Sequence, residues 1–280
     1  NPIQLICVSN ANLPSISNPR NLVVVGDNAK ASVLMCAHSL SNVESLSNTV
    51  TEVFVGENAH FDYYKLESTN AKSVSLSSFV LKQKGNSNVL INDMTLQNGF
   101  SRNNISVDLE GEGAELTLCG MVIGDSEQHT DNHTVVNHNV PNCVSKELFK
   151  YVLNDASKGA FSGRVFVAKD AQKTVAYQTN KNICVGKDAK MFTEPQLEIY
   201  ADDVKCSHGA STGQMDETAL FYLRSRGIPE AEAKMLLMFA FVNDVIENIR
   251  IDSLQDKIKL MVEKRFRGES SLCKGCNACK

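Results

Sequence analysis

One short corner recurs along this chain and restricts its fold more than any other feature. It reads Val25-Gly26-Asp27-Asn28-Ala29-Lys30, then Val55-Gly56-Glu57-Asn58-Ala59-His60, then Val185-Gly186-Lys187-Asp188-Ala189-Lys190. A degenerate copy is Ala168-Lys169-Asp170-Ala171. Each copy follows an apolar, largely β-branched run (Val23 to Val25, Val53 to Val55, Val165 to Val167, Ile183 to Val185), and the Gly-x-Asn/Asp step of the three full copies is suited to the positive φ of a tight corner. The unit is strand, corner, strand. Its spacing is loose, thirty residues from Gly26 to Gly56 but eighteen from Ala168 to Gly186, as expected of coils with loop insertions.

Between the corners, polar and apolar residues alternate. Val74-Ser75-Leu76-Ser77, Val89-Leu90-Ile91-Asn92-Asp93-Met94, Ile105-Ser106-Val107-Asp108-Leu109 and Ala114-Glu115-Leu116-Thr117-Leu118 predict strands with one buried face. No amphipathic helix separates them. Such a series fits a β-sandwich, a propeller or a β-solenoid, and the repeated corner favours the solenoid.

After Gly213 the texture becomes helical. Asp216 is placed to cap a first helix through Leu220, Phe221 and Leu223 to Arg226, with Gly227 as its left-handed stop. Pro229 opens a longer helix whose Met235, Leu236, Phe239, Val242, Val245, Ile246 and Ile249 form a wide apolar stripe. That stripe is expected to pack mainly on neighbouring helices, with part of a face open to a partner. Asp252 or Ser253 caps a third helix through Leu254, Ile258, Met261 and Val262. The division is therefore a mainly β core over 1–214 and a small helical domain over 215–280 that ends in a cysteine-containing tail.

Several function classes are disfavoured. Acidic and basic residues nearly balance at a net charge of −4, with no basic run to track nucleic acid or an anionic membrane. No stretch is long and apolar enough to span a membrane, and the first residues carry neither a basic nor an apolar leader region. Nine cysteines without framework spacing point to a reducing, cytoplasmic setting. With Asn1 rather than Met at the start, an upstream region is expected. There is no G-x-x-x-x-G-K-S/T loop, so ATP dependence would come from a partner, and the chain is expected to bind no nucleotide. Gly209-Ala210-Ser211-Thr212-Gly213 matches the hydrolase elbow pattern but has no histidine after it, His208 being the last in the chain. Gly111-Glu112-Gly113 reads as another corner, and the paired carboxylates read as lying on exposed faces. His129, Asp131 and His133 share one face of a strand in a spacing that a metal could use or that an ordinary polar outer face would show, with His138 on the opposite face.

From Gln128 onward the chain resembles the SufB/SufD family of scaffold subunits in the SUF iron–sulfur cluster assembly system. The matching residues include Gln128-His129-x-Asp131, His138, Pro141, Ser145-x-Glu147-Leu148-Phe149-Lys150, Phe161-x-Gly163 and the run Asp170 to Asn182. The most specific are Pro195-Gln196-Leu197-Glu198-Ile199-Tyr200-Ala201-Asp202-Asp203-Val204-Lys205-Cys206-Ser207-His208-Gly209 and Leu220 to Ile228. The SufD branch is the better match, since SufB is less similar over Lys205 to Gly209. The first half of the chain shares only texture.

The resemblance implies a right-handed parallel β-helix followed by a C-terminal helical domain, in a non-enzymatic scaffold. It implies pairing with a SufB-like subunit through the β-helix, and docking of a SufC-like ABC ATPase on the helices, with Phe221, Tyr222, Arg226, Gly227 and Ile228 as candidate contacts. A homodimer is the expected alternative when the chain is isolated. His208 is the ligand position carried over for a nascent cluster shared with the partner. Cys206, two residues before it on the same strand face, is a second candidate that could equally pack inward. The tail Cys273-x-x-Cys276-x-x-Cys279 departs from the family and resembles three ligands of a ferredoxin-type cluster, though a frayed end with exposed thiols would look the same. Two other classes stand beside the scaffold: a β-solenoid enzyme acting on carbohydrate or acyl groups, and a cluster carrier using the tail cysteines.

Overall fold

The computed structural model describes residues 2–269. Sixteen strands wind between two facing sheets. The first sheet runs in the order β1 (Ile3–Ser9), β4 (Lys30–Ser39), β6 (His60–Ser68), β8 (Asn88–Gln97), β10 (Glu115–Gly124), β12 (Val144–Leu153), β14 (Val175–Cys184), β16 (Lys205–Gly213). The second runs β5 (Ser45–Val55), β7 (Ser73–Gln83), β9 (Phe100–Leu109), β11 (His129–His138), β13 (Lys158–Val167), β15 (Lys190–Ile199), with β2 (Ser15–Ser17) and β3 (Arg20–Val25) both paired to β5. The chain changes sheet at almost every corner, so one coil is one strand of each sheet. All pairings are parallel and stack successive coils in the register Lys30, His60, Asn88, Glu115, Val144, Val175, Lys205. The fold is the β-solenoid the corners predict.

The uneven spacing has a geometric cause. Gly26 and Gly56 turn the chain from the second sheet to the first, and thirty residues is one full coil. Ala168 lies on that same edge but Gly186 on the opposite one, so eighteen residues is half a coil with its two corners. The positive φ falls on Asn28 (58°) and Asn58 (55°) rather than on the glycines before them. Gly56 is glycine for a different reason: a Cβ there would lie 2.7 Å from Asp27 N of the preceding corner. The corners stack, Asn58 Nδ2 donating to Asn28 Oδ1 at 2.8 Å and Asn28 N to Glu57 O at 2.8 Å.

Between the sheets, alternate residues form the main core, including Phe61, Leu81, Val89, Val107, Leu116, Phe149 and Phe161. Outside the first sheet lies a second core. Leu34, Tyr64, Leu66, Leu90, Met94 and Met121 point outward from β4 to β10 and are buried under helices. That sheet is apolar on both faces and must be covered.

The cover is α2 (Glu230–Glu247) and α3 (Asp252–Phe266), preceded by α1 (Glu217–Ser225). Val242, Val245 and Ile246 of α2, with Leu254, Ile258, Met261 and Val262 of α3, complete the second core. The α2 stripe therefore packs on the sheet as well as on its helix neighbours. Polar clamps fix it. Lys150 Nζ reaches Asp244 Oδ2 at 2.6 Å and Phe241 O at 2.7 Å, Arg250 Nη1 reaches Asp62 Oδ1 at 2.8 Å, and Arg265 pairs with Asp125. Asp216 caps α1 as expected, accepting from Thr218 N at 2.9 Å and Ala219 N at 3.0 Å, and Gly227 has φ 86°. Pro229 is the N-cap of α2 rather than its first helical residue. The N-cap of α3 is Ile251, without a side-chain bond; Asp252 is already helical, its charge set against the positive end of the helix dipole.

Candidate functional site

At the last coil the two sheets end in strands with no neighbour beyond them among the described residues, β15 in one and β16 in the other, as they do at the first coil in β1 and β2. The two ends differ. β15 contains Pro195 and carries Lys190, Glu194 and Glu198, the features that keep an edge strand from pairing further. β16 (Lys-Cys-Ser-His-Gly-Ala-Ser-Thr-Gly) has no proline and mostly small side chains, and all its residues except Cys206 are exposed. A Cβ on Gly209 or Gly213 would meet nothing within 4 Å. Lys205 N donates to Thr174 O in the preceding corner at 2.8 Å. By the alternation of a parallel ladder, Cys206, His208, Ala210 and Thr212 then turn their backbone groups to the open side. This is a flat, pairing-competent edge.

Cys206 and His208 lie on it, in register with the buried Ala176 and Gln178 of β14, so both side chains face the second sheet. Two residues apart, their Cα atoms are separated by about 6.5 to 7 Å. Their surroundings differ. Cys206 packs partly buried against a small cluster of Val165, Val167, Ala171, Ala176 and Ala201, and burial pushes its thiol up, with the Ala176 backbone opposing. That makes it a poorer thiolate. His208 is exposed, because no further coil stacks on it. Imidazole at an open strand end is available to a metal; a packed thiol is less so.

Behind His208 runs a buried polar column. Gln178 Nε2 donates to Glu147 Oε2 at 2.6 Å, and Glu147 lies fully inside, its carboxyl pushed up to about 6 by burial. Further down the axis, Asn132 Nδ2 donates to Tyr151 Oη at 2.6 Å, Asn103 Nδ2 to Asn132 Oδ1 at 2.7 Å, and Lys65 Nζ to Asn103 Oδ1 at 2.6 Å. Lys65 also pairs with Asp93 at 3.2 Å, beside a buried Glu67 whose carboxyl is raised by desolvation. Lys65 lines a cavity of about 380 Å³ in the first coils, with Cys7, Met35, Tyr63, Ser45 and Ser73. Reading the carboxylates as exposed is thus corrected for Glu67, Asp93 and Glu147, which strand alternation turns inward.

The other candidates are placed as follows. His129, Asp131 and His133 share the outer face of β11, where Arg102 holds Asp131 at 3.1 Å, His133 Nε2 lies 2.9 Å from Asp131 and His129 contacts the Phe100 ring. No metal-competent trio of His, Cys, Asp or Glu occurs among the described residues. His138 points inward, its Nε2 2.8 Å from Ser145 Oγ, and burial lowers its pKa to about 4. Phe221 and Tyr222 are exposed on α1 at 74% and 56%, with Arg226 over the Tyr222 ring. Gly227 ends α1, while Ile228 packs against the Met215, Leu220 and Ala233 cluster. Cys273, Cys276 and Cys279 lie outside the described residues.

A parallel β-solenoid with a helical cover and an unguarded sheet edge at its last coil defines the class. The profile of the SUF system FeS cluster assembly SufBD core domain matches residues 6–241, from β1 into α2. The chain belongs to the SufBD family, and within it to the SufD type. It is 32% identical over 249 residues to the iron–sulfur cluster assembly protein SufD of Escherichia coli, covering 89% of this chain and 59% of that one. A SufBD family protein of Synechocystis is 30% identical over 260 residues, covering 90% and 57%. The SufD of Plasmodium berghei is 24% identical over 260 residues, covering 91% and 19%. The chain thus spans less than two thirds of the length of these relatives.

Proposed function

We propose that this chain is a non-enzymatic scaffold subunit for iron–sulfur cluster assembly. The observation that carries the proposal is the unguarded β16 edge with His208 on it, in a chain of the SufD type. A SufB-like subunit extends the first sheet by pairing along β16, and His208 supplies one ligand to the nascent cluster at the join, the cluster being cargo shared with that partner. Cys206 is the weaker second donor, since its thiol is packed and raised.

An ABC ATPase of the SufC type docks on α1, where Phe221 and Tyr222 are exposed. The faces of α2 and α3 that seal the first sheet are unavailable to it. Removing all three helices would uncover the second core, so the docking test is Phe221→Ala with Tyr222→Ala. Retained ATPase affinity in that variant refutes the docking reading. For the cluster site, the chain is co-purified with a SufB-like subunit and the ATPase and reconstituted anaerobically. His208→Ala is expected to lower cluster formation while complex assembly and ATP hydrolysis stay near normal, with a smaller effect from Cys206→Ala. Wild-type cluster yield in His208→Ala sinks the assignment.

A further inference from the structure

Gln178 lies in register with His208, one coil further in, and is buried. Its amide nitrogen donates to Glu147 Oε2 at 2.6 Å. An ionised carboxylate only accepts, so this bond decides which end of the amide is NH₂ and which is carbonyl. The opposite sheet makes room for the arrangement: a Cβ on Gly163 would lie 2.5 Å from Gln178 Nε2. With the NH₂ committed, Gln178 Oε1 is left buried and without a hydrogen-bond partner. A buried acceptor left unmet is costly, and the next side chain along that face is the exposed imidazole of His208.

We propose that Gln178, oriented by Glu147, is a positioning residue for His208: its Oε1 accepts the N–H of one ring nitrogen and leaves the other, deprotonated, turned toward the open edge as the metal ligand. Histidines that bind metals commonly donate their second ring N–H to a fixed acceptor, which sets both tautomer and ring orientation. Here the acceptor is held from beneath by a carboxylate that touches no metal. The inference rests on the reading of His208 as a cluster ligand, and the experiment separates the two.

The whole chain, with Cys273, Cys276 and Cys279 changed to Ser so that the tail thiols take up no metal, is labelled with ¹⁵N-histidine, and the His208 ring is followed by NMR during titration with Zn²⁺ as the probe. In the wild type, His208 is expected to hold a single tautomer and bind Zn²⁺. Gln178→Leu, and separately the near-isosteric Glu147→Gln, should relax the ring to mixed tautomers and weaken Zn²⁺ binding by about 10- to 100-fold. The reciprocal swap, Glu147→Gln with Gln178→Glu, should restore both, because the new inner amide donates outward to the new carboxylate, which still faces His208. A merely structural role for either residue predicts no such rescue. If His208→Ala leaves Zn²⁺ uptake unchanged, the ligand reading fails and this inference falls with it. If His208→Ala abolishes uptake while Glu147→Gln keeps the wild-type tautomer and affinity, the positioning role alone is overturned. Should Gln178→Leu not fold, Glu147→Gln and the swap make the same comparison.

Discussion

Glu147→Gln has a second consequence, in stability. The Glu147 carboxyl is fully buried and titrates at about 6 rather than its ordinary 4.5, so the folded chain holds its proton to a higher pH than the unfolded chain does. Below pH 4.5 both folded and unfolded chains hold the proton and nothing is lost. As pH rises through 6, the unfolded chain is free to ionise in water while the folded chain must ionise in its interior. Linkage over that shift gives a folded-state penalty of about 0.8 kcal/mol at pH 5 and about 2 kcal/mol at pH 7.5. Because the group is buried, solvent screening does not reduce these values. The substituted amide carries no such charge. The difference in unfolding free energy between Glu147→Gln and the wild type should therefore move by about 1.2 kcal/mol in favour of glutamine from pH 5 to 7.5. Urea denaturation of both proteins at four or five pH values measures it, and other titrating groups cancel in the difference. A difference that does not change with pH would refute the buried, desolvated carboxylate, whatever its absolute size.

Gly56→Ala should destabilise the fold by about 1 to 3 kcal/mol through collision with the Asp27 corner. Gly26→Ala, with nothing within 4 Å, should stay within about 0.5 kcal/mol of wild type; paired thermal melts check the contrast. Lys150→Met removes the bonds to Asp244 and Phe241 O while preserving most of the apolar stem, and should cost about 1.5 to 3 kcal/mol, with hydrogen exchange in α2 accelerating before that in β12. Ala210→Pro removes a backbone N–H from the open side of β16 without touching the ladder to β14. It should leave the melting temperature nearly unchanged but weaken pairing with a SufB-like subunit at least about tenfold, about 1.4 kcal/mol, in sedimentation binding assays. Unchanged affinity would exclude strand pairing at this edge.

The strands were legible because their period of two is strict, and the corners because glycine and asparagine punctuate it. The buried carboxylates were not, because charge reads as exposure when residue type is judged alone. Parity carried the missing information: Glu147 has the same parity as Phe149 and Tyr151, which face the core, and Lys65 and Glu67 share that of Phe61 and Tyr63. The helical cover also left a mark. Val89-Leu90-Ile91 is an unbroken apolar run, as a strand covered on both faces should be, with Leu90 turned outward under the helices. The geometry of the candidate site was half legible. Spacing put Cys206 and His208 on one face, but only the stacking order shows that Cys206 packs into a closed cluster while His208 meets solvent.

The position of the cover explains how such an edge can stay open at little risk to the core. The second core reaches from Leu34 on β4 to Val152 on β12, and the Arg250, Lys150 and Arg265 clamps fall on β6, β12 and the corner after β10. On β14 the outward Tyr177 is 43% exposed, and Ser207, Gly209 and Ser211 continue that face on β16 without a large apolar group. The coils that depend on the helices for burial are the earlier ones, and the coil bearing His208 does not. A partner can therefore pair along β16 and leave again without uncovering the apolar sheet. Separating the stapled coils from the free one lets a stable solenoid keep an edge strand that would otherwise invite aggregation.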